Sequence, residues 1–209
     1  MTTRSSGGWF GRALLGGALL GGAWASLKRP EVQRLDVRAG DALRHAGSAT
    51  VDRAVTATTD LGSVYAVAGA AAVLAAAGRR RQALDVLGVG LVAWTAGQAS
   101  KTRVRRQRPY EADGVRRLVR PPTGSSFPSG HAAVGTAMAT VLADGARSPL
   151  AAGVLDVLGA YVAASRVYVG VHYPTDVIGG AGLGLVVGSL WRGPVAKIGR
   201  AVVSLPFRL

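Results

Sequence analysis

Apolar residues fall along this chain in blocks rather than in the stripes of an amphipathic helix. Uncharged runs cover Leu61 to Gly78, Val86 to Ser100, Ser129 to Ala143 and Val177 to Trp191. Between Arg147 and Arg166 only Asp156 interrupts the pattern, and an earlier block spans Ala13 to Leu27. A helix needs about 20 mainly apolar residues to cross roughly 30 Å of hydrocarbon, and flanking Arg, Lys, Tyr or Trp can extend a shorter block to the interface. The pattern therefore predicts an all-α integral membrane helical bundle of about six helices. Five are membrane spans, and the N-terminal one is a membrane or interfacial helix. A large Ala-rich soluble bundle is the competing fold, but it fits blocks that are apolar on every face less well. Small-residue runs such as Gly179-Gly180-Ala181-Gly182-Leu183-Gly184 suit close helix packing in a membrane, whereas in water they would mainly weaken the helix.

Three regions follow from this patterning: residues 1–59, a core at 60–191 and a tail at 192–209. In the first, Arg4 and Arg12 precede an apolar stretch ending in Ala23-Trp24-Ala25, the outline of a signal peptide. Its glycines and the Lys28-Arg29 pair that follows favour an uncleaved helix instead. Residues 28 to 60 are polar and read as an amphipathic helix plus a connector. The tail carries Lys197, Arg200 and Arg208 among apolar residues and reads as a basic segment on anionic lipid.

Composition sharpens the picture in one respect. Only 17% of residues are charged, yet the net charge is +14. Such an imbalance suits a membrane protein whose charges collect in loops. Cysteine is absent, which excludes a disulfide framework, thiolate metal sites and cysteine nucleophiles. The excess is concentrated between Lys101 and Arg120, where eight basic residues face two acidic ones. A nucleic-acid surface is disfavoured there, because the run holds Tyr110 as its one aromatic and lies between apolar blocks. Lipid headgroups and membrane topology account better for Arg103, Arg105, Arg106, Arg116, Arg117 and Arg120.

Candidate chemistry sits at the ends of the blocks. Pro128-Ser129-Gly130-His131 opens the fourth, with Ser129 as a natural N-cap and Gly130 clearing space for an anion at the helix start. Ser165-Arg166 closes the fifth, and His172 with Asp176 opens the sixth. Asp176 lies four residues beyond His172, so it can fix one imidazole nitrogen and leave the other free to attack. If each block crosses once, these clusters and the basic loop emerge on one side of the membrane. Mere helix capping and a hydrogen-bonded interhelical turn are the plainer readings of each motif alone. His45 reads as a solvated residue of the connector, and Asp156 as a polar group facing other helices rather than a functional carboxylate.

Together the motifs resemble the type 2 phosphatidic acid phosphatase (PAP2) family, also called lipid phosphate phosphatases. The signature is a Lys, six residues and Arg-Pro; then Pro-Ser-Gly-His; then Ser-Arg, five residues, His, three residues and Asp. Here it is met by Lys101, Arg108-Pro109, Pro128 to His131, Ser165-Arg166, His172 and Asp176. The resemblance implies that His172 is a phosphoryl-accepting nucleophile, that Asp176 orients it, and that His131 protonates the leaving oxygen. It further implies that Lys101, Arg108, Ser129, Gly130 and Arg166 hold the phosphate, with no metal or other cofactor. The expected partners are a phosphorylated glycerolipid or polyprenyl lipid and the bilayer itself. A non-lipid acid phosphatase of the same superfamily, or a membrane lipid-phosphate-binding protein without catalysis, are the alternatives. The cation count leans towards a cytoplasmic site, but an anion-binding site biases that count, so the sequence leaves both orientations open.

Overall fold

A computed structural model describes residues 8–195 as helices and connecting loops. The helices are α1 (Gly8–Ser26), α2 (Pro30–His45), α3 (Ala49–Thr58), α4 (Val64–Ala76), α5 (Arg80–Lys101), the single turn α6 (Pro109–Ala112), α7 (Gly130–Asp144), α8 (Pro149–Tyr168) and α9 (Pro174–Leu190). Arg4 and the tail cations Lys197, Arg200 and Arg208 lie outside the described residues. Local chemistry sets the boundaries. The hydroxyls of Ser48, Ser63, Ser129 and Ser148 accept backbone N–H groups at the starts of α3, α4, α7 and α8. Proline occupies the first turn of α2, α8 and α9, where its missing N–H costs nothing.

The six apolar blocks correspond to α1, α4, α5, α7, α8 and α9. Among the described residues, α8 is the one helix long and apolar enough by itself to cross a bilayer. The chain from Ala49 through Ala76 passes the same test only as a pair of helices bent by 75°. The expected connector is thus helical: α3 leads through a tight turn, Thr59–Gly62, into α4. Gly62 is needed at this bend, because a Cβ there would lie 2.5 Å from the carbonyl oxygen of His131.

Helix α7 is the centre of the bundle, packed against α5, α8 and α9, while α4 covers α5 and α1 covers α9. Between α4, α5 and α7 the core is built from Val67, Val86, Val89, Ala93, Val134, Ala137 and Val141. The glycines of α9 set its spacing to both neighbours. A Cβ on Gly184 would sit 2.3 Å from the Ala133 carbonyl of α7, and one on Gly182 would sit 2.7 Å from the Gly16 carbonyl of α1. Backbones approach closely here because nothing stands between them.

This arrangement puts the end of α5, the start of α7, the end of α8 and the start of α9 at one end of the bundle. The opposite end is pinned by ion pairs. Arg12 donates twice to Asp144 at 2.7 Å, and Asp85 accepts from Trp191 and Arg192. Asp156 differs from its expected place between helices: it lies on the exposed side of α8, where the neighbouring Val157 is also exposed. His45 is exposed, as expected for a connector residue.

Candidate active site

The predicted residues converge at that shared end. His172 lies in the short turn between α8 and α9 and is 2% exposed. Its backbone N–H donates to the Arg166 carbonyl at 3.2 Å, which ties the turn to the last turn of α8. On one side of the ring, Nε2 lies 3.3 Å from Nη1 of Arg108. On the other, Nδ1 lies 3.6 Å from Oδ2 of Asp176 and 3.5 Å from Oγ of Ser126. Guanidinium only donates, so Nε2 must present its lone pair to Arg108 and the ring proton must sit on Nδ1. This tautomer leaves Nε2 free to attack an electrophile. Burial pushes the His172 pKa down to about 3, outweighing the Asp176 carboxylate that opposes it. The ring is therefore neutral at physiological pH. Because its folded-state pKa lies below the usual 6.5, its contribution to stability is present above 6.5 and is lost as pH falls towards 3.

Arg108 is fully buried, and its position is held by backbone carbonyls. Its guanidinium donates to Val171 at 2.9 Å, Ser125 and Gly124 at 3.2 Å, and Thr123 at 3.3 Å. None of these acceptors carries a full negative charge, and the carboxylates of Asp176 and Glu111 favour the cation only through space, without an ion pair to it among the described residues. Arg166 is 2% exposed and donates to the Thr59 hydroxyl at 2.8 Å, while its buried Nε has no partner among the described residues. An unsatisfied buried donor costs about 1–3 kcal/mol, a cost that an incoming anion would relieve. Lys101 ends α5 within electrostatic reach of Arg108, Arg166 and Asp176. Ser129 caps α7 through its hydroxyl, and its backbone N–H donates to the Asp176 carbonyl at 2.9 Å. Beside it, the space where a Gly130 side chain would project is open.

Several functional residues were missed by sequence reasoning. Asp60, in the turn before α4, places Oδ1 3.2 Å from Nε2 of His131 and 3.6 Å from Arg166. Ser126 is fully buried and donates to Oδ2 of Asp176 at 2.5 Å, and the Tyr173 N–H donates to the same oxygen at 2.8 Å. The largest correction concerns Arg106, expected among the headgroup and topology charges. It is instead largely buried, donating to Oδ1 of Asp176 at 2.7 Å, to Oδ2 of Asp36 at 2.6 Å and to the Thr175 hydroxyl at 2.6 Å. Burial opposes its charge, but the two carboxylates outweigh burial and hold its pKa above the ordinary value. Asp36, from α2, also accepts the Thr175 backbone N–H at 2.9 Å. The signal available for Ser126 was its place just before the Pro-Ser-Gly-His motif. Asp36 and Asp60 had none, being single acids in a polar stretch.

A chain of contacts thus runs Asp36, Arg106, Asp176, His172. Arg106→Gln would leave two buried carboxylates without their shared cation, and breaking such a pair typically costs about 3–5 kcal/mol. The thermal midpoint of Arg106→Gln should fall well below wild type, whereas exposed Arg120→Gln should change stability by no more than about 0.5 kcal/mol and leave the midpoint nearly unmoved. Equal midpoints would show that the pairing contributes nothing.

The signature positions meet at one end of the bundle, and the family model of the PAP2 superfamily matches residues 81–197, more than half of the chain. The chain belongs to the PAP2 superfamily. Among curated relatives, a decaprenylphosphoryl-5-phosphoribose phosphatase of Mycobacterium tuberculosis (strain H37Rv) is 40% identical over 113 residues, 54% of this chain and 61% of the relative. An undecaprenyl-diphosphatase of Sulfolobus acidocaldarius is 36% identical over 115 residues, 52% of this chain and 55% of the relative. The chain thus spans under two thirds of the length of these relatives. A transmembrane PAP2-type phosphatidylglycerolphosphate phosphatase from Bacillus subtilis shares the fold, with a TM-score of 0.69 at 23% identity, covering 96% of this chain and 98% of that one.

Proposed function

We propose that this PAP2 protein is an integral-membrane lipid phosphate phosphatase that hydrolyses a phosphorylated polyprenyl lipid through a phosphohistidine. The observation that carries the reading is the His172 ring, its Nε2 facing the buried Arg108 guanidinium and its Nδ1 turned to Asp176. In the first step Nε2 forms a bond to phosphorus while the ester oxygen departs and takes a proton from His131. In the second, water attacks the phosphohistidine, His131 receives its proton, and inorganic phosphate leaves with His172 restored. Lys101, Arg108 and Arg166 stabilise the charge on the phosphoryl oxygens, with Ser129 and the α7 start at Gly130 as further donors. Asp60 pairs with His131 and positions it for both proton transfers. The chemistry is complete without a metal ion.

The membrane placement is supported by the perimeter of the bundle. Val73, Leu84, Leu150 and Val157 are all at least two-thirds exposed, a poor surface for water and a good one for lipid. The names of the relatives favour a polyprenyl substrate over a glycerolipid. Phosphate release from polyprenyl monophosphates, polyprenyl diphosphates, phosphorylated prenyl sugars, phosphatidate and phosphatidylglycerol phosphate tests both points. Release is expected from a prenyl substrate and is expected to persist with a magnesium chelator. Turnover of glycerolipids alone would overturn the polyprenyl assignment, and no release from any member would leave a binding protein.

A further inference from the structure

A cavity lies beside Arg106, apart from the residues of the proposed catalytic site. It encloses about 1140 Å³ between the end of α1, the start of α2, the 102–107 segment and Tyr173. Lys101, Arg108, His131, Arg166 and His172 do not line it. Arg106 forms part of its wall and stands, with Asp176, between the cavity and His172. A phosphorus atom held there cannot meet Nε2, so the cavity is not the place of the transferred group.

Its lining is amphipathic. Its lining includes Lys28, Arg103 and Arg105 beside Arg106, together with the apolar Trp24 and Leu27. Arg106 is already balanced by Asp36 and Asp176. Lys28, Arg103 and Arg105 are exposed, and none is paired with a carboxylate among the described residues. The acid in the lining, Asp113, accepts the Tyr173 hydroxyl. Three uncompensated cations therefore share a cavity lining with indole and aliphatic surface. Trp24 is 61% exposed and stands where the first apolar block gives way to Lys28-Arg29, the level at which tryptophan meets lipid headgroups. An occupant must be anionic at one end and apolar at the other.

We propose that this cavity is a second, non-catalytic site for the phosphate headgroup of an anionic membrane phospholipid. The phosphate lies against Arg103, Arg105 and Lys28, and the start of the acyl region lies along Trp24 and Leu27. The occupied site steadies the 102–107 segment, which directly joins Lys101 to Arg108. It rests on the membrane placement proposed above but not on catalysis.

The test uses the full chain carrying His172→Ala in zwitterionic detergent, with thermal unfolding as the readout. Phosphatidylglycerol is the probe, because it is a phosphodiester and offers His172 no monoester. It is expected to raise the midpoint saturably, whereas phosphatidylcholine and inorganic phosphate do not. Each surface cation contributes about 1 kcal/mol to headgroup attraction, about fivefold in affinity. Arg103→Gln with Arg105→Gln should therefore weaken the apparent affinity about thirtyfold, while Arg80→Gln at the opposite end leaves it unchanged. An equal response to phosphatidylcholine, or an unaltered response in the double variant, overturns the site. The same shift from inorganic phosphate alone overturns its assignment to lipid. A wild-type chain that releases no phosphate would sink the phosphatase reading and leave this binding result standing.

Discussion

Replacing His172 with alanine should abolish phosphate release, with a fall in kcat of at least about ten-thousandfold, because a nucleophile has no substitute in a two-step transfer. The variant should still fold. His172 makes one backbone hydrogen bond that survives truncation, and the Arg108 guanidinium keeps its four carbonyl acceptors. A matched thermal midpoint would confine the loss to chemistry. The decisive measurement is radiolabel from a phosphorylated prenyl substrate trapped on the protein: acid-labile label on wild type and none on His172→Ala. Label that persists in the variant would place the covalent step elsewhere. Label absent from both would remove the phosphohistidine.

Gly184→Leu should be the most damaging substitution for the fold itself. A Cβ at this position would lie 2.3 Å from the Ala133 carbonyl and 2.9 Å from Thr136, so α7 and α9 must separate to admit it. Backbone cannot yield as a flexible side chain does, and overpacking of this kind costs about 3 kcal/mol or more. Separation would also disturb the site, since Ser129 and Asp176, joined by a 2.9 Å backbone bond, sit at the starts of these two helices. The expected result is a large fall in midpoint or loss of monodisperse protein. Gly153→Leu is the matched control: nothing lies within 4 Å of a Cβ there, and the change should be nearly neutral. If the two variants behave alike, the close approach of α7 and α9 is not what holds the bundle together.

Much of the fold was legible because it is written at short range. Each apolar block became a helix, and Ser129 became the cap of α7 as its place before the fourth block suggested. Arg106 was misread for the converse reason. It lies in a run of cations, and nothing within a helical turn of it reveals a carboxylate. Its partners are 70 residues away in both directions along the chain, at Asp36 and Asp176. Asp60 was overlooked in the same way, since its relation to His131 depends on a bend that the apolar pattern does not record.

By itself the sequence determined a helical bundle with three charged motifs at helix ends, and alternation of the blocks was enough to send those motifs to one end. Helix periodicity and capping act over three or four residues, so they leave a local trace. Only the tertiary structure decided which charges are spent on holding the site and which stay free. It buried Arg106 between two carboxylates and set Arg108 against His172 with no ion-paired carboxylate among the described residues, while Arg103 and Arg105 were left facing an open cavity. The physical reason is that an ion pair depends on distance in space, and for these residues that distance is set by how α2, α7 and α9 pack.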